Sequence, residues 1–306
     1  VALAIASGAV LAIAAVTGAD KVGRAFESFH PVWITLAVAG QLLAIPAYML
    51  AYRSVARVGG DPAPSWGFVW RVVLAGFGPF MLGGGFDLDR RAARAAGGDD
   101  GRNVHVVLAL AFLEWAVLAP VASVAAIVLL LEEAPIEASL TWPWAIAVPL
   151  GFAFALWVST AGRKRAARLR IGRARWMRSL LEGLALLRTL IAHPYRFAGA
   201  WIGTVAYWAF DIVSFYGALR AFGLQPGVGE MVIAYATGYV GTRRSLPLGG
   251  AGVTEVLLVY ALYWVNQPIA PALAAVVLYR GINFALTLAP GLVAYLSLRR
   301  RLHQAS

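Results

Sequence analysis

Apolar runs long enough to cross a lipid bilayer recur along the whole chain, and no other feature limits its fold as strongly. Segments 1–19, 31–52, 104–131, 142–161, 195–222 and 270–298 each approach or exceed the roughly 20 residues that a helix needs to cross about 30 Å of hydrocarbon. Across 306 residues, 60% are hydrophobic and 13% charged. A water-soluble domain of this size keeps most of its surface in water and cannot hide that much apolar area. The fold class expected is therefore an all-α integral membrane protein, a multi-span helical bundle forming one transmembrane domain over 1–306.

Two apolar segments break the pattern. Residues 228–241 and 253–265 are each too short to span and are separated by Thr242-Arg-Arg-Ser-Leu-Pro-Leu-Gly-Gly-Ala-Gly252. The run 66–86 is interrupted by Gly76, Gly78, Pro79 and Gly83-Gly84-Gly85. Both read as glycine-rich hairpins, about 66–86 and 228–265, re-entrant or built from a broken helix lining a cavity. In each, an acid follows a proline by eight residues, Pro79 to Asp87 and Pro247 to Glu255. An inverted repeat is one arrangement that would produce this echo.

The formal net charge is +11, carried almost wholly by arginine. The basic residues gather beside apolar runs, which fits an anionic membrane face and not nucleic acid. Segment 163–188 is the richest and is expected to be cytoplasmic, as is Arg299-Arg300-Arg301 at the C-terminus. The loop 132–141 carries Glu132, Glu133 and Glu137 without Lys or Arg, and is expected outside. If 66–86 re-enters, the N-terminus is inside; if it spans, Arg53 and Arg57 face out, and we take the re-entrant layout. Trp176, Leu180, Leu184, Leu187 and Ile191 recur at helical spacing. The basic amphipathic segment 163–193 can therefore lie on the anionic inner leaflet, or serve only to set topology. The location expected is a bacterial cytoplasmic membrane.

Charged residues within apolar runs cost about 2.5–3.5 kcal/mol each on insertion scales, so they are paired, wet or functional. They are Arg71, Glu114, Asp211, Arg243, Arg244, Glu255 and Arg280. Ion pairs that staple helices account for some, and Arg71 with Glu114 is the pair expected. Asp211, Glu114 and Arg71 are also candidates for coupling transport to ions. The segment from Arg243 to Glu255 holds the most chemistry. Its glycines permit tight turns and close ligand approach. A half-helix starting near Gly252 presents free N–H groups and a positive dipole end. Two arginines beside it suit a phosphate, which guanidinium forks bind bidentately. At membrane depth that phosphate belongs to a lipid headgroup more readily than to a nucleotide. The bland alternative is a glycine-rich helix break used only for packing.

Leu246-Pro-Leu-Gly-Gly-Ala-Gly-Val-Thr-Glu255, followed by Arg280 in the next span, resembles the transmembrane region of bacterial lysylphosphatidylglycerol synthases, a family that includes stand-alone flippase-like proteins. Gly76-Phe-Gly-Pro-Phe-Met-Leu-Gly-Gly-Gly85 is similar to that family's first glycine-rich hairpin. The resemblance implies a bundle that moves or holds an aminoacylated or otherwise modified phospholipid. It places weight on Glu255 and Arg280, with Gly249, Gly250 and Gly252 shaping the turn. Arg243, Arg244 and Pro247 complete the headgroup site expected here.

The 306 residues hold no aminoacyltransferase domain and no Gly-x4-Gly-Lys-Ser/Thr loop, so neither lipid synthesis nor ATP-driven pumping is expected. Absence of cysteine removes thiolate chemistry, and the four histidines have no metal-ligand spacing. No cofactor is expected. The Trp and Tyr residues are assigned to interfacial belts and packing. Two further functions stay open: a membrane enzyme acting on lipid-linked substrates, for which Asp87 and Asp89 are the acid/base candidates, and a non-transporting scaffold for a glycosyltransferase. A homo-oligomer or a partner enzyme is compatible with each.

Overall fold

The computed structural model describes residues 2–27, 29–58, 63–77, 100–155, 157, 175–240 and 252–305. These residues are helical throughout, with short turns between helices and no strands. The helices are α1 (Ala2–Thr17), α2 (Ala19–Ala25), α3 (Val32–Val55), α4 (Trp66–Phe77) and α5 (Asp100–Leu131). They continue with α6 (Ala138–Ala155), α7 (Arg175–Ala192), α8 (Ala198–Ala221), α9 (Val228–Gly238), α10 (Val253–Trp264) and α11 (Ile269–Ala305). Five are long and apolar enough to cross a membrane: α3, α5, α6, α8 and α11. The chain is a multi-span helical bundle.

Why these segments become helices follows from the solvent they suit. In hydrocarbon a backbone N–H or C=O has no water to bond, so each span must satisfy its own polar groups. Helices α3, α5 and α11 nevertheless hold Pro46, Pro120 and Pro290, which spans tolerate where neighbouring helices and local adjustments re-satisfy the freed carbonyls. Outward faces stay apolar: Leu42, Leu43, Val121, Val124, Val128 and Leu131 are among the large exposed side chains. Helix α6 departs from α geometry at a π-helical turn over Pro143–Ala147. From that turn the Trp144 indole donates to Thr237 Oγ1 at 2.9 Å and stacks on Trp115.

Helices α3 and α8 form the closest pair, antiparallel and nearly backbone to backbone. A Cβ on Gly203 would lie 2.5 Å from Ala51 N; on Gly40, 2.6 Å from Phe210 O and 2.7 Å from Ser214 N; on Gly217, 2.7 Å from Ala37 N. Between membrane helices there is little hydrophobic drive, and small residues gain association through close van der Waals contact. On α8, Gly203 faces Ala47 and Ala51 of α3, and Gly199, one turn earlier, faces Ser54 and Leu50; this small-residue spacing is visible in the sequence.

Helices α9 and α10 are the two short apolar segments, at 11 and 12 residues. Their lengths are about 16–18 Å, half of the hydrocarbon thickness. They pack on one another, with Gly238 of α9 against Leu258 of α10. Their outer ends lie at one end of the bundle. Gly229 of α9 abuts Leu129 near the end of α5, and Glu137 N–H donates to Trp264 O at the end of α10. The two short helices therefore run antiparallel. The turn joining it, residues 241–251, lies outside the described residues. So do residues 78–99, so the course of the first glycine-rich hairpin beyond α4 is not described.

The amphipathic segment is helical over α7. Its buried line runs through Gly183, Leu186, Leu187 and Leu190, with Ile191 and Arg188 exposed. Gly183 touches Leu108 and Phe112 of α5, and the Trp201 indole donates to Leu190 O at 3.2 Å. The described part of α7 is therefore docked on the bundle, one residue rotated from the stripe expected. Residues 158–174 and the side chains of 175–182 lie outside the description.

Candidate functional site at the inner ends of the half-helices

Helix α10 begins with Gly252 at φ 85°, a left-handed conformation that a side chain disfavours. Glu255, three residues on, turns back so that Oε2 accepts the Gly252 N–H at 2.6 Å. The same local rule starts α9, where the Gly227 N–H donates to Glu230 Oε2 at 2.8 Å. Glycine has no side chain, so each cap is the carboxylate half of a capping box. Gly227-Val-Gly-Glu230 and Gly252-Val-Thr-Glu255 carry this repeat in the sequence. Its two carboxylates have different fates. Glu230 is half-buried near the bundle end, whereas Glu255 is 2% exposed.

The second oxygen of Glu255 is committed to α11. Arg280 Nε donates to Glu255 Oε1 at 2.7 Å, both side chains being buried. The guanidinium also lies 4.9 Å from the Phe284 ring centroid. Depth follows from helix rise. Glu255 is nine residues before Trp264 and Arg280 eleven after Ile269, so both sit about 14–17 Å from the end where α10 turns into α11. The pair is at mid-membrane depth. The anion that occupies the α10 N-terminus here is the protein's own carboxylate.

Asp211 of α8 is at the same level and fully buried. Its Oδ2 accepts the hydroxyl of Tyr235 from α9 and, at 2.8 Å, that of Tyr279 from α11. Tyr239 also bonds Tyr279; because the Tyr279 proton goes to Asp211, Tyr239 is the donor in that bond. Trp208 and Phe215 pack around these rings. Tyr207, Tyr235, Tyr239 and Tyr279 are at most 1% exposed. Of the two roles expected for tyrosine, belt and packing, these four take the buried one. Tyr235, Tyr239 and Tyr279 are also hydrogen-bonding partners at mid-depth, while Tyr195, Tyr260 and Tyr263 are exposed. Their mid-run positions are visible in the sequence, but that they face an intramembrane acid is a fact of packing alone.

The structure brings Glu255, Arg280 and Gly252 together and places Asp211 beside them on neighbouring helices. Arg243, Arg244, Pro247, Gly249 and Gly250 lie outside the described residues, as do Asp87 and Asp89. Arg71 is half-buried on α4 and forms no ion pair with Glu114 among the described residues. The physical reason is packing: α4 lies against α11 and α3, whereas α5 carries Glu114 among α7, α9 and α6. Glu114 meets α8, where the Trp208 indole donates to its main-chain oxygen at 3.0 Å. Among the described residues no three His, Cys, Asp or Glu side chains converge as a metal-binding group.

The arrangement can hold one anion at a helix N-terminus beside one buried arginine, with a phenol-supported carboxylate close by. The profile of the lysylphosphatidylglycerol synthase transmembrane region matches residues 1–291. The chain belongs to that family. No curated protein matches it. Membership makes it a membrane protein of a flippase-like, lipid-related family, in agreement with its five long apolar helices.

Proposed function

We propose that this family member is a phospholipid translocase that binds an anionic or aminoacylated lipid headgroup at the inner end of the α9–α10 hairpin. The buried Glu255–Arg280 pair carries the reading. A pair removed from water at mid-depth is costly to keep, and replacing it with apolar residues would often be neutral or stabilising. Retaining it makes sense if Arg280 has a second anionic partner. A phosphate arriving at Arg280 exchanges for Glu255 Oε1, while Oε2 goes on capping Gly252. Arg243 and Arg244 supply further guanidinium groups in this proposal, and a lipid amine is recognised by the released Glu255 oxygen. The role is binding and transport without a chemical step. Transport runs downhill or is coupled to an ion.

In this reading the end bearing Glu132, Glu133 and Glu137 faces outward, and the C-terminal arginines face the cytoplasm of a bacterial cell. The test is headgroup accessibility in proteoliposomes containing the purified chain. Fluorescent phosphatidylglycerol and its lysyl ester are expected to move between leaflets faster than in protein-free vesicles, with phosphatidylcholine left behind. Equal movement of all lipids, or of none, would refute headgroup-selective translocation.

A further inference from the structure

Asp211 has a second oxygen that the phenols do not reach. Oδ1 is buried and has no hydrogen-bond partner, and neither has Ser214 Oγ, one turn further along α8. On the facing helix, both polar atoms of Gln41 are buried without a partner. Asp211, Ser214 and Gln41 are each 0% exposed. The α3–α8 register puts them at one level. Gly40 lies against Phe210 O and the Ser214 backbone, so the next residue of α3 is level with residues 210–214 of α8. Asn283 Nδ2, one turn beyond Tyr279 on α11, is also unpartnered.

Buried polar atoms without partners are rare, because each costs about 1–3 kcal/mol. Three such residues, Gln41, Asp211 and Ser214, at one level of the α3–α8 seam call for a shared occupant. The donors available are one carboxylate oxygen, one hydroxyl and one amide carbonyl, all hard oxygen ligands. A single negative charge among neutral oxygens suits a monovalent cation. A divalent ion favours more carboxylates or retained water. Arg280 is paired with Glu255 and does not bond Asp211 Oδ1, which has no hydrogen-bond partner.

We propose that Asp211, Ser214 and Gln41 form a binding site for a small monovalent cation of the sodium class at mid-depth between α3, α8 and α11. Oδ1 of Asp211, Oγ of Ser214 and Oε1 of Gln41 face the ion, and water completes the shell toward Asn283. Oδ2 stays bonded to Tyr235 and Tyr279, which ties the site to the hairpin through α9 and to Arg280 through α11. The cation is then the coupling ion for lipid movement. That link rests on the translocase reading; the binding itself does not.

Sodium binding to the purified full chain in nanodiscs tests the site without lipid transport. The readouts are radiolabelled sodium retention and thermal stability in NaCl against choline chloride at equal ionic strength and fixed pH. The wild type is expected to bind saturably and to be stabilised by sodium. Asp211→Asn should abolish binding. Ser214→Ala and Gln41→Leu should each weaken it about tenfold or more, the loss of one buried ligand. These two remain informative if Asp211→Asn fails to fold, because neither touches the Tyr235 or Tyr279 bonds. No saturable binding by the wild type, binding unchanged in both milder variants, or a response to pH alone would overturn the proposal. The latter results describe a water-filled pocket or a proton site. Sodium binding with no lipid movement would instead count against the translocase reading and leave this site standing.

Discussion

Glu255 does two jobs with two oxygens, and separating them gives the sharpest residue-scale prediction. Arg280→Ala leaves a buried carboxylate unpaired and is expected to cost about 3–5 kcal/mol of stability. Glu255→Gln/Arg280→Gln removes both charges at once and should recover most of that loss in thermal unfolding of the detergent-solubilised protein. If the double variant is as unstable as the single one, charge pairing is not what holds α10 to α11. The phenols around Asp211 make a second case. Tyr279→Phe removes one donor to Oδ2 and the acceptor used by Tyr239, so a loss of about 1–3 kcal/mol is expected in the same measurement. Glu255 and Arg280 were legible in the sequence, because charges inside apolar runs are rare and these two flank a glycine cluster. The tyrosines were not. A mid-run tyrosine reads as an ordinary amphipathic residue until the helix opposite it is known to carry an acid.

At the scale of elements, the short helices α9 and α10 were readable from length alone. Segments of 11 and 12 residues cannot span, and glycine between them signals a return. The caps that begin both half-helices repeat in the sequence as Gly-Val-x-Glu, yet caps are local and their depth is not. Only packing shows that Glu230 is half-buried at the bundle end and Glu255 is sealed at mid-depth. The partner of each helix was the least legible feature. Arg71 and Glu114 were matched by charge, but α4 and α5 belong to different contacts. The seam between α3 and α8 rests instead on glycine. Gly203→Ala would place a methyl group 2.5 Å from the Ala51 backbone nitrogen, which cannot yield as a flexible side chain would. A destabilisation of about 1–3 kcal/mol is expected, read as a lowered unfolding temperature. The control is Gly67→Ala, where the added methyl meets nothing within 4 Å. Equal shifts in the two would contradict close packing at this seam.

For the whole molecule, the bundle class followed directly from apolar runs, since only helices or closed barrels satisfy their backbones in hydrocarbon. Sidedness is a charge argument, and the absence of cysteine makes it simple to check. A single cysteine at Glu133 should react with a membrane-impermeant maleimide in intact cells. One at Arg300 should react only after permeabilisation. The reverse labelling would invert the layout. The central claim is that the mid-depth Glu255–Arg280 pair is where a lipid headgroup is held during passage. The most direct measurement is the rate of headgroup movement for labelled phosphatidylglycerol in proteoliposomes, comparing wild type with Glu255→Gln/Arg280→Gln at matched thermal stability. The account predicts fast movement by the wild type and a rate near that of protein-free vesicles for the variant. A folded variant that moves the lipid as fast as the wild type would contradict it.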